Sequence, residues 1–170
     1  MLIGGEESRG PAQGESEGLY HARRVFHALP GSTRDEVLED LSFRLAQEGA
    51  VPAPGELVAR LLERERLGCT GLGGGVAIPH CKLRDLGDVV VAVASTAQPI
   101  DFGAADGIPV TLIILVASPA DAAAAHLQAL ARISRLLRTP GVADGLRNAR
   151  SAVEMLGVLR GAEASLAVPS

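Results

Sequence analysis

The sequence predicts an α/β sandwich, with a central sheet and helices on both of its faces. Residues 88–95 and 110–117 are nearly continuous apolar runs rich in β-branched side chains, which is the composition of strands covered on both sides. Helical patterns lie before and after these runs, so helices are available for each face of the sheet. The chain has 170 residues, which suits one domain with a substantial core.

The start of the chain is predicted to be a tail followed by a short strand. Residues 1–19 are rich in Gly, Glu, Ser and Pro and show no periodicity, which is typical of a disordered or loosely attached segment. The domain is expected over residues 20–165, with 166–170 as a C-terminal tail. Residues 24–29 are predicted to form the first strand.

Two helices are predicted next. Thr33 and Glu36 have the spacing of a capping box, and the helix that they open is expected to end near Gly49. A second helix begins near Pro54, because proline is accepted in a first helical turn. Gly68 is the expected end of that helix.

Turns and further helices surround the second apolar run. Residues 99–109 are dense in turn-forming residues. A long helix is predicted over residues 120–137 and is broken by Pro140. Two shorter helices complete the domain, and the last is opened by Ser151 and Glu154, another capping box.

Composition excludes several classes of function. The net charge is −4, and the chain has one Tyr, three Phe and no Trp, so it lacks the basic and aromatic content of nucleic-acid-binding proteins. The apolar stretch of residues 108–117 is about half as long as a membrane-spanning helix, so no membrane insertion is expected. Two cysteines, Cys69 and Cys81, do not make a disulfide framework, and the reducing cytoplasm is the expected location.

The most informative segment is residues 70–80, a glycine-rich stretch that ends in Pro79 and His80. Glycine lets backbone N–H groups approach an anion closely, and proline restricts the path of the chain into the histidine. An imidazole presented in this way is suited to act as a base, a metal ligand or a covalent phosphoryl carrier.

The spacing argues against a nucleotide-binding loop and against a zinc site. The glycines do not form G-x-G-x-x-G, because Val76 occupies the third glycine position, and no G-K-[ST] follows. Cys69, His80, Cys81 and His126 match no common zinc spacing, and the adjacent His80 and Cys81 would point apart in an extended segment. No metal is therefore expected.

Two chemistries stay open for His80, that of a hydrolase and that of a phosphohistidine carrier. A hydrolase lacks support because the sequence has no G-x-S-x-G elbow. A phosphohistidine carrier needs an exposed neutral imidazole together with N–H or cationic groups to hold the phosphoryl charge. The glycine-rich backbone and an arginine from a neighbouring helix meet that need, and we expect Thr70, Gly71, Gly73 and Lys82 to support a phosphate beside His80.

The motifs together resemble a known family. The marks are Arg-Glu at residues 64–65, the segment 68–80, the segment 99–110 and the segment 126–131, which occur in the order and spacing of that family. Across residues 26–160 the chain resembles the fructose/mannitol-class enzyme IIA domains (type 2) of the bacterial phosphoenolpyruvate-dependent sugar phosphotransferase system. Nitrogen-regulatory IIA proteins show the strongest resemblance.

The resemblance implies both a fold and a site. The fold would be a mixed five-stranded sheet with flanking helices, and neither a cofactor nor a metal would be required. His80 would accept a phosphoryl group on Nε2 from the phosphocarrier protein HPr or its nitrogen-branch relative. His126 would be the second active-site histidine, and Arg64 would lie beside the phosphorylated residue, where a guanidinium can pair with phosphate oxygens.

The chain departs from the family pattern at three positions. Cys69 stands where serine is common, Gly74 where asparagine is common, and Cys81 where glycine usually follows the histidine. We interpret Cys81 as a small spacer, with a redox-sensitive thiol as the alternative.

The sequence thus predicts a cytoplasmic phosphoryl carrier that passes its phosphate to a IIB domain or uses it to regulate a target protein. The sequence contains no IIB or membrane IIC region, which favours the regulatory version. The alternative is a binding module that has kept the fold and lost phosphotransfer. His21 and His27 are interpreted as packing or surface residues, and Asp101 and Asp106 as turn formers.

Overall fold

The computed structural model describes residues 21–167, so the predicted N-terminal tail lies outside the described residues. The described part of the chain begins with a short 3₁₀ turn, which is followed by six strands and five helices. In chain order they are β1 (Val25–Leu29), α1 (Arg34–Gln47), α2 (Pro54–Leu67), β2 (Gly71–Gly73), β3 (Val76–Ala77), β4 (His80–Leu83), β5 (Val90–Ile100), β6 (Val110–Pro119), α3 (Ala123–Arg138), α4 (Val142–Asn148) and α5 (Ala152–Ala167).

The strands form one mixed sheet in the order β1-β5-β6-β3-β2, and β4 also pairs with β6. Strands β1 and β5 are parallel, whereas β5 and β6 are antiparallel. Both β3 and β4 run parallel to β6. Strand β3 pairs with Leu112 and Ile113, and strand β4 pairs with the stretch from Val116 to Pro119. The six strands therefore occupy five positions, because β3 and β4 lie end to end along the same side of β6.

The sheet separates two hydrophobic cores, which confirms the predicted sandwich. Along β6, Ile113 and Leu115 pack in the core that contains α1 and α2. Leu112 and Ile114 pack in the core that contains α3, α4 and α5. All four side chains are fully buried, as expected for a strand covered on both faces.

Several predicted elements are confirmed and one is wrong. The Thr33 hydroxyl accepts a hydrogen bond from Glu36 N at 3.2 Å, and the Glu36 carboxylate accepts one from Thr33 N at 3.2 Å, so the capping box forms. The last helix, α5, is not short: it has 16 residues, as many as α3. The glycine-rich segment contains two short strands, β2 and β3, which form a small antiparallel pair.

Within residues 21–167, none of the helices combines the length and the apolar character needed to cross a membrane.

Candidate functional site

The sheet determines which way His80 points. His80 pairs with Val116 of β6, and Cys81 pairs with Ala117. Val116 belongs to the core beneath α3, whereas Ala117 and Cys81 belong to the core beneath α1 and α2. Because side chains alternate along a strand, His80 faces the α3 side of the sheet and Cys81 faces the opposite side.

Two hydrogen bonds define the protonation of the His80 ring. Its Nδ1 lies 2.8 Å from the carbonyl oxygen of Ile78, and a carbonyl can only accept, so Nδ1 carries the proton. Its Nε2 accepts from Arg64 Nε at 3.3 Å, which requires a free lone pair on Nε2. Both contacts assign the same neutral tautomer, with Nε2 as the nucleophilic nitrogen.

Arg64 is held in the last turn of α2, beside His80. Its Nη1 donates to the carbonyl of Gly68 at 2.9 Å, so it satisfies an otherwise free carbonyl at the end of the helix. The guanidinium is thereby fixed between the end of the helix and the imidazole. A guanidinium in this position can pair with the oxygens of a group bound to Nε2.

His126 lies in the first turn of α3 and is 7% exposed. Its ring centroid is 5.5 Å from that of His80, and the two rings are tilted by 50°. Its Nδ1 lies 2.7 Å from the hydroxyl oxygen of Ser118. Burial lowers the pKa of His126, and the electrostatic influence of His80 and Lys82 lowers it further. The ring therefore favours its neutral form.

These side chains line an open pocket of about 390 Å³. It contains cationic, carboxylate, imidazole and apolar groups, namely Arg60, Glu63, Arg64, Leu67, His80, Cys81, Lys82 and His126. A second hollow of about 210 Å³ also reaches His80 and Arg64, and it is lined by Thr70 and Gly71.

The structure thus brings six of the seven predicted site residues to the two hollows beside His80. Gly73 is the exception. It lines a different pocket, next to Arg147 and the start of α4, and its positive φ of 88° serves the turn between β2 and β3. The geometry gives the predicted phosphate role of Gly73 no support.

The sequence assigned no role to two buried polar residues, although Glu65 is part of the Arg-Glu pair in the family pattern. Glu65 is 5% exposed and accepts hydrogen bonds from both the backbone N–H and the hydroxyl of Thr70. Ser118 is fully buried and contacts His126. Glu65 lies in a run of charged residues that indicates a solvated helix end, and Ser118 follows directly after the predicted strand. Neither pattern signals a site.

The two cysteines have different environments. Cys81 is 7% exposed, and burial raises the pKa of its thiol to about 12. Cys69 is exposed, its Sγ donating to the Phe102 carbonyl at 3.0 Å and accepting from Gly71 N at 3.1 Å. The Cys69 thiol therefore bonds to one backbone group two residues away and to another at Phe102.

The predicted turn formers are confirmed. Asp101 accepts from Gly103 N at 2.8 Å. Asp106 accepts from Ile108 N at 3.0 Å and from Gly74 N at 2.8 Å, and these backbone bonds, that of Gly74 foremost, lower the pKa of Asp106. The carboxylate of Asp106 therefore ties its own turn to the turn between β2 and β3.

The other two histidines lie on structural contacts. His27 Nε2 lies 3.0 Å from the carbonyl of Ala149, which joins β1 to the end of α4. His21 Nδ1 accepts from Arg23 N at 3.1 Å and caps the 3₁₀ turn. Among residues 21–167, no three His, Cys, Asp or Glu side chains are grouped so that they could hold a metal ion.

Comparison with known proteins decides the family. The model of the family described as "Phosphoenolpyruvate-dependent sugar phosphotransferase system, EIIA 2" matches residues 19–161. The chain belongs to this family. As an EIIA 2 domain, it is a phosphoryl carrier of the phosphotransferase system at the level that the family defines.

Similar sequences have both regulatory and sugar-specific names. A nitrogen regulatory protein of Bradyrhizobium diazoefficiens is 40% identical over 146 residues, which cover 83% of this EIIA 2 chain and 92% of that protein. The fructose-specific EIIA component of Haloferax volcanii is 35% identical over 130 residues, with 76% and 84% of the two chains covered.

Solved structures agree with the fold. The nitrogen regulatory protein IIA-Ntr of Neisseria meningitidis has a TM-score of 0.75 at 28% identity, with 83% of this chain and 96% of that chain covered. The mannitol enzyme IIA of Escherichia coli, solved in complex with phosphorylated enzyme IIB, has a TM-score of 0.70 at 25% identity, with 83% and 96% covered.

Proposed function

We propose that His80 is the phosphoryl carrier of this EIIA 2 domain and that it is phosphorylated on Nε2. The observation that supports this most directly is the bond between His80 Nδ1 and the Ile78 carbonyl at 2.8 Å, which leaves the Nε2 lone pair available. The donor in this proposal is a phosphohistidine protein, HPr or its nitrogen-branch relative.

The transfer balances without a cofactor. The Nε2 lone pair of His80 forms a new N–P bond, and the N–P bond of the donor breaks. The electron pair of that bond returns to the donor imidazole. Positive charge develops on the His80 ring as the bond forms, and the Nδ1–H bond to Ile78 stabilises that charge because the carbonyl is its acceptor.

The surrounding groups have separate roles in the proposal. The Arg64 guanidinium exchanges its contact with Nε2 for contacts with phosphoryl oxygens. The Nδ1 atom of neutral His126 is hydrogen-bonded to the Ser118 hydroxyl. When that hydroxyl donates to Nδ1, the imidazole carries its proton on Nε2, and this N–H can donate to the same phosphoryl oxygens. Lys82 adds positive charge to the pocket. Thr70 and Gly71 line the second hollow beside the ring.

The surface around His80 suits partners that bind in turn. Three leucines are strongly exposed near the site: Leu67 at 82%, Leu72 at 60% and Leu127 at 67%. Leu67 lines the pocket of His80, Leu72 lines the second hollow, and Leu127 follows His126. An apolar patch with a charged rim fits transient docking of a donor and then of a IIB domain or a regulated target.

We propose the regulatory, nitrogen-branch role over sugar transport, in the cytoplasm. Relatives named nitrogen regulatory protein reach 40% and 37% identity. The alternative is a binding module that has lost phosphotransfer. The intact group of His80, His126, Arg64 and Lys82 favours the carrier.

A phosphorylation assay separates these two functions. The protein is incubated with phosphoenolpyruvate, enzyme I and HPr or its nitrogen-branch relative, and intact mass is measured before and after acid treatment. We expect one acid-labile phosphoryl group on the wild type and on a His27→Ala control, and none on His80→Ala. An unphosphorylated wild type would contradict the carrier function, and label on His80→Ala would place the site elsewhere.

A further inference from the structure

Glu65 is the buried polar side chain nearest the site whose contacts the proposed transfer does not use. It lies in the last turn of α2, directly after Arg64, and is 5% exposed. Its Oε2 accepts from Thr70 N at 3.2 Å, and its Oε1 accepts from the Thr70 hydroxyl. Both oxygens of one buried carboxyl group are thus used to hold a single residue.

Thr70 transmits this restraint towards His80. The Thr70 carbonyl accepts from Ile78 N at 3.0 Å, and the Ile78 carbonyl lies 2.8 Å from His80 Nδ1. A continuous series of hydrogen bonds therefore runs from the Glu65 carboxyl group through Thr70 and Ile78 to the imidazole.

The series acts at the gap between β3, which ends at Ala77, and β4, which begins at His80, so Ile78 lies in neither strand. Gly73, Gly74 and Gly75 follow within five residues of Thr70 and all have positive φ, so the turn has no side chains of its own to fix it. Ile78 precedes a proline that has no N–H to donate. The bond between Thr70 and Ile78 is then the restraint that acts on Ile78 itself, in addition to the pairing of β3 and β4 with β6 on either side of it.

We propose that Glu65 is a positioning residue for His80: through Thr70 and Ile78 it holds the carbonyl that keeps the proton on Nδ1 and the lone pair on Nε2. Arg64 and Glu65 then act on the same ring from adjacent positions of α2. Arg64 contacts Nε2 directly, and Glu65 acts on Nδ1 through two residues. The inference rests on the proposed function of His80.

Four variants test it. Thr70→Val removes the hydroxyl and keeps the shape and the Glu65 carboxyl group. Thr70→Ser keeps the hydroxyl and serves as the matched control for the tautomer, and Glu39→Gln, at an exposed position of α1, serves as the control for the rate. Glu65→Gln keeps the size of the side chain and replaces one acceptor oxygen by a donor amide. For each, the ring nitrogens of His80 are observed by ¹⁵N NMR, the thermal midpoint is measured, and kcat and KM are determined with the phosphorylated donor protein.

We expect Thr70→Val and Glu65→Gln to lower kcat about tenfold with little change in KM, because the docking surface is intact and the nucleophile is misaligned. In both, the neutral His80 ring becomes a mixture of tautomers. Thr70→Ser is expected to keep the Nδ1–H tautomer, and Glu39→Gln is expected to keep the wild-type rate because Glu39 is exposed on α1, away from the site.

Either of two results for Thr70→Val overturns the proposal. The first is a folded protein with the wild-type tautomer and rate, and the second is a protein whose only change is a lower thermal midpoint. If Glu65→Gln fails to fold, Thr70→Val decides, because it leaves the carboxyl group in place. If the wild type is not phosphorylated, the function proposed for His80 fails, whereas the tautomer measurement still tests the positioning.

Discussion

Cys81 directly follows His80, and its reactivity provides a quantitative test of the structure. The perturbation is alkylation of the thiol by iodoacetamide at pH 8. Two variants isolate the sites: Cys69→Ser leaves Cys81 as the only thiol, and Cys81→Ser leaves only the exposed Cys69.

The expected rate follows from the pKa of Cys81. Burial raises the pKa from its ordinary value of 9.0 to about 12, and the charges of Arg60 and Glu56 contribute less. Alkylation requires the thiolate. At pH 8 the thiolate fraction falls from about one in ten at the ordinary pKa to about one in ten thousand, so the rate falls about 1,000-fold.

The assay compares alkylation of Cys69→Ser in buffer and in urea, followed by intact mass. We expect the native protein to react about 1,000-fold more slowly than the unfolded chain, and the Cys81→Ser protein to react readily in both states. A native rate within about tenfold of the unfolded rate would refute a buried, protonated Cys81. It would also restore the redox-sensitive thiol as an interpretation of this position.

Three further predictions concern the site and its support. Arg64→Lys keeps a charge but loses the Nε donor that contacts Nε2 of His80, so we expect the initial phosphorylation rate to fall about tenfold or more; an unchanged rate contradicts the role of the guanidinium. Because the pKa of His126 is lowered in the folded state, the unfolded chain binds the proton first, and the free energy of unfolding should fall as the pH falls below the ordinary value of 6.5. Urea titrations from pH 7.5 to about 5 measure this, and a His126→Asn protein that shows the same slope argues against it. Gly75→Ala places a Cβ 3.1 Å from a carbonyl oxygen at a φ of +78°, and should cost about 1–3 kcal/mol in thermal or urea unfolding, whereas Gly87→Ala, which meets nothing within 4 Å, should be nearly neutral.

Local signals in the sequence are sufficient for much of the fold. The Thr33 and Glu36 pair predicts α1 because the capping bonds are made within four residues. The apolar runs predict β5 and β6 because strands covered on both faces need no polar alternation. The extension of β5 to Ile100 is less visible, since a register shift after Ser95 carries the strand through Pro99.

The site residues also divide into those that the sequence reveals and those that it does not. His80, Arg64 and His126 are recognisable through the family pattern. Glu65 also belongs to the family pattern, but its role, like that of Ser118, depends on burial and on partners that the local sequence does not reveal. A glutamate among charged neighbours at a helix end normally lies in solvent. Only the packing of α2 against the segment at Thr70 makes it a buried acceptor.

The end-to-end arrangement of β3 and β4 along β6 bears on how a partner would sense the state of this protein. His80 stands on a strand whose four residues pair in register with the end of β6, so its backbone is part of the sheet. Its pocket holds three cationic side chains and one carboxylate, a net charge of about +2 that a phosphoryl group of about −2 cancels. We expect the difference between the two states to be one of surface potential on an unmoved scaffold. A partner would then distinguish them by charge, and its discrimination should weaken as ionic strength rises.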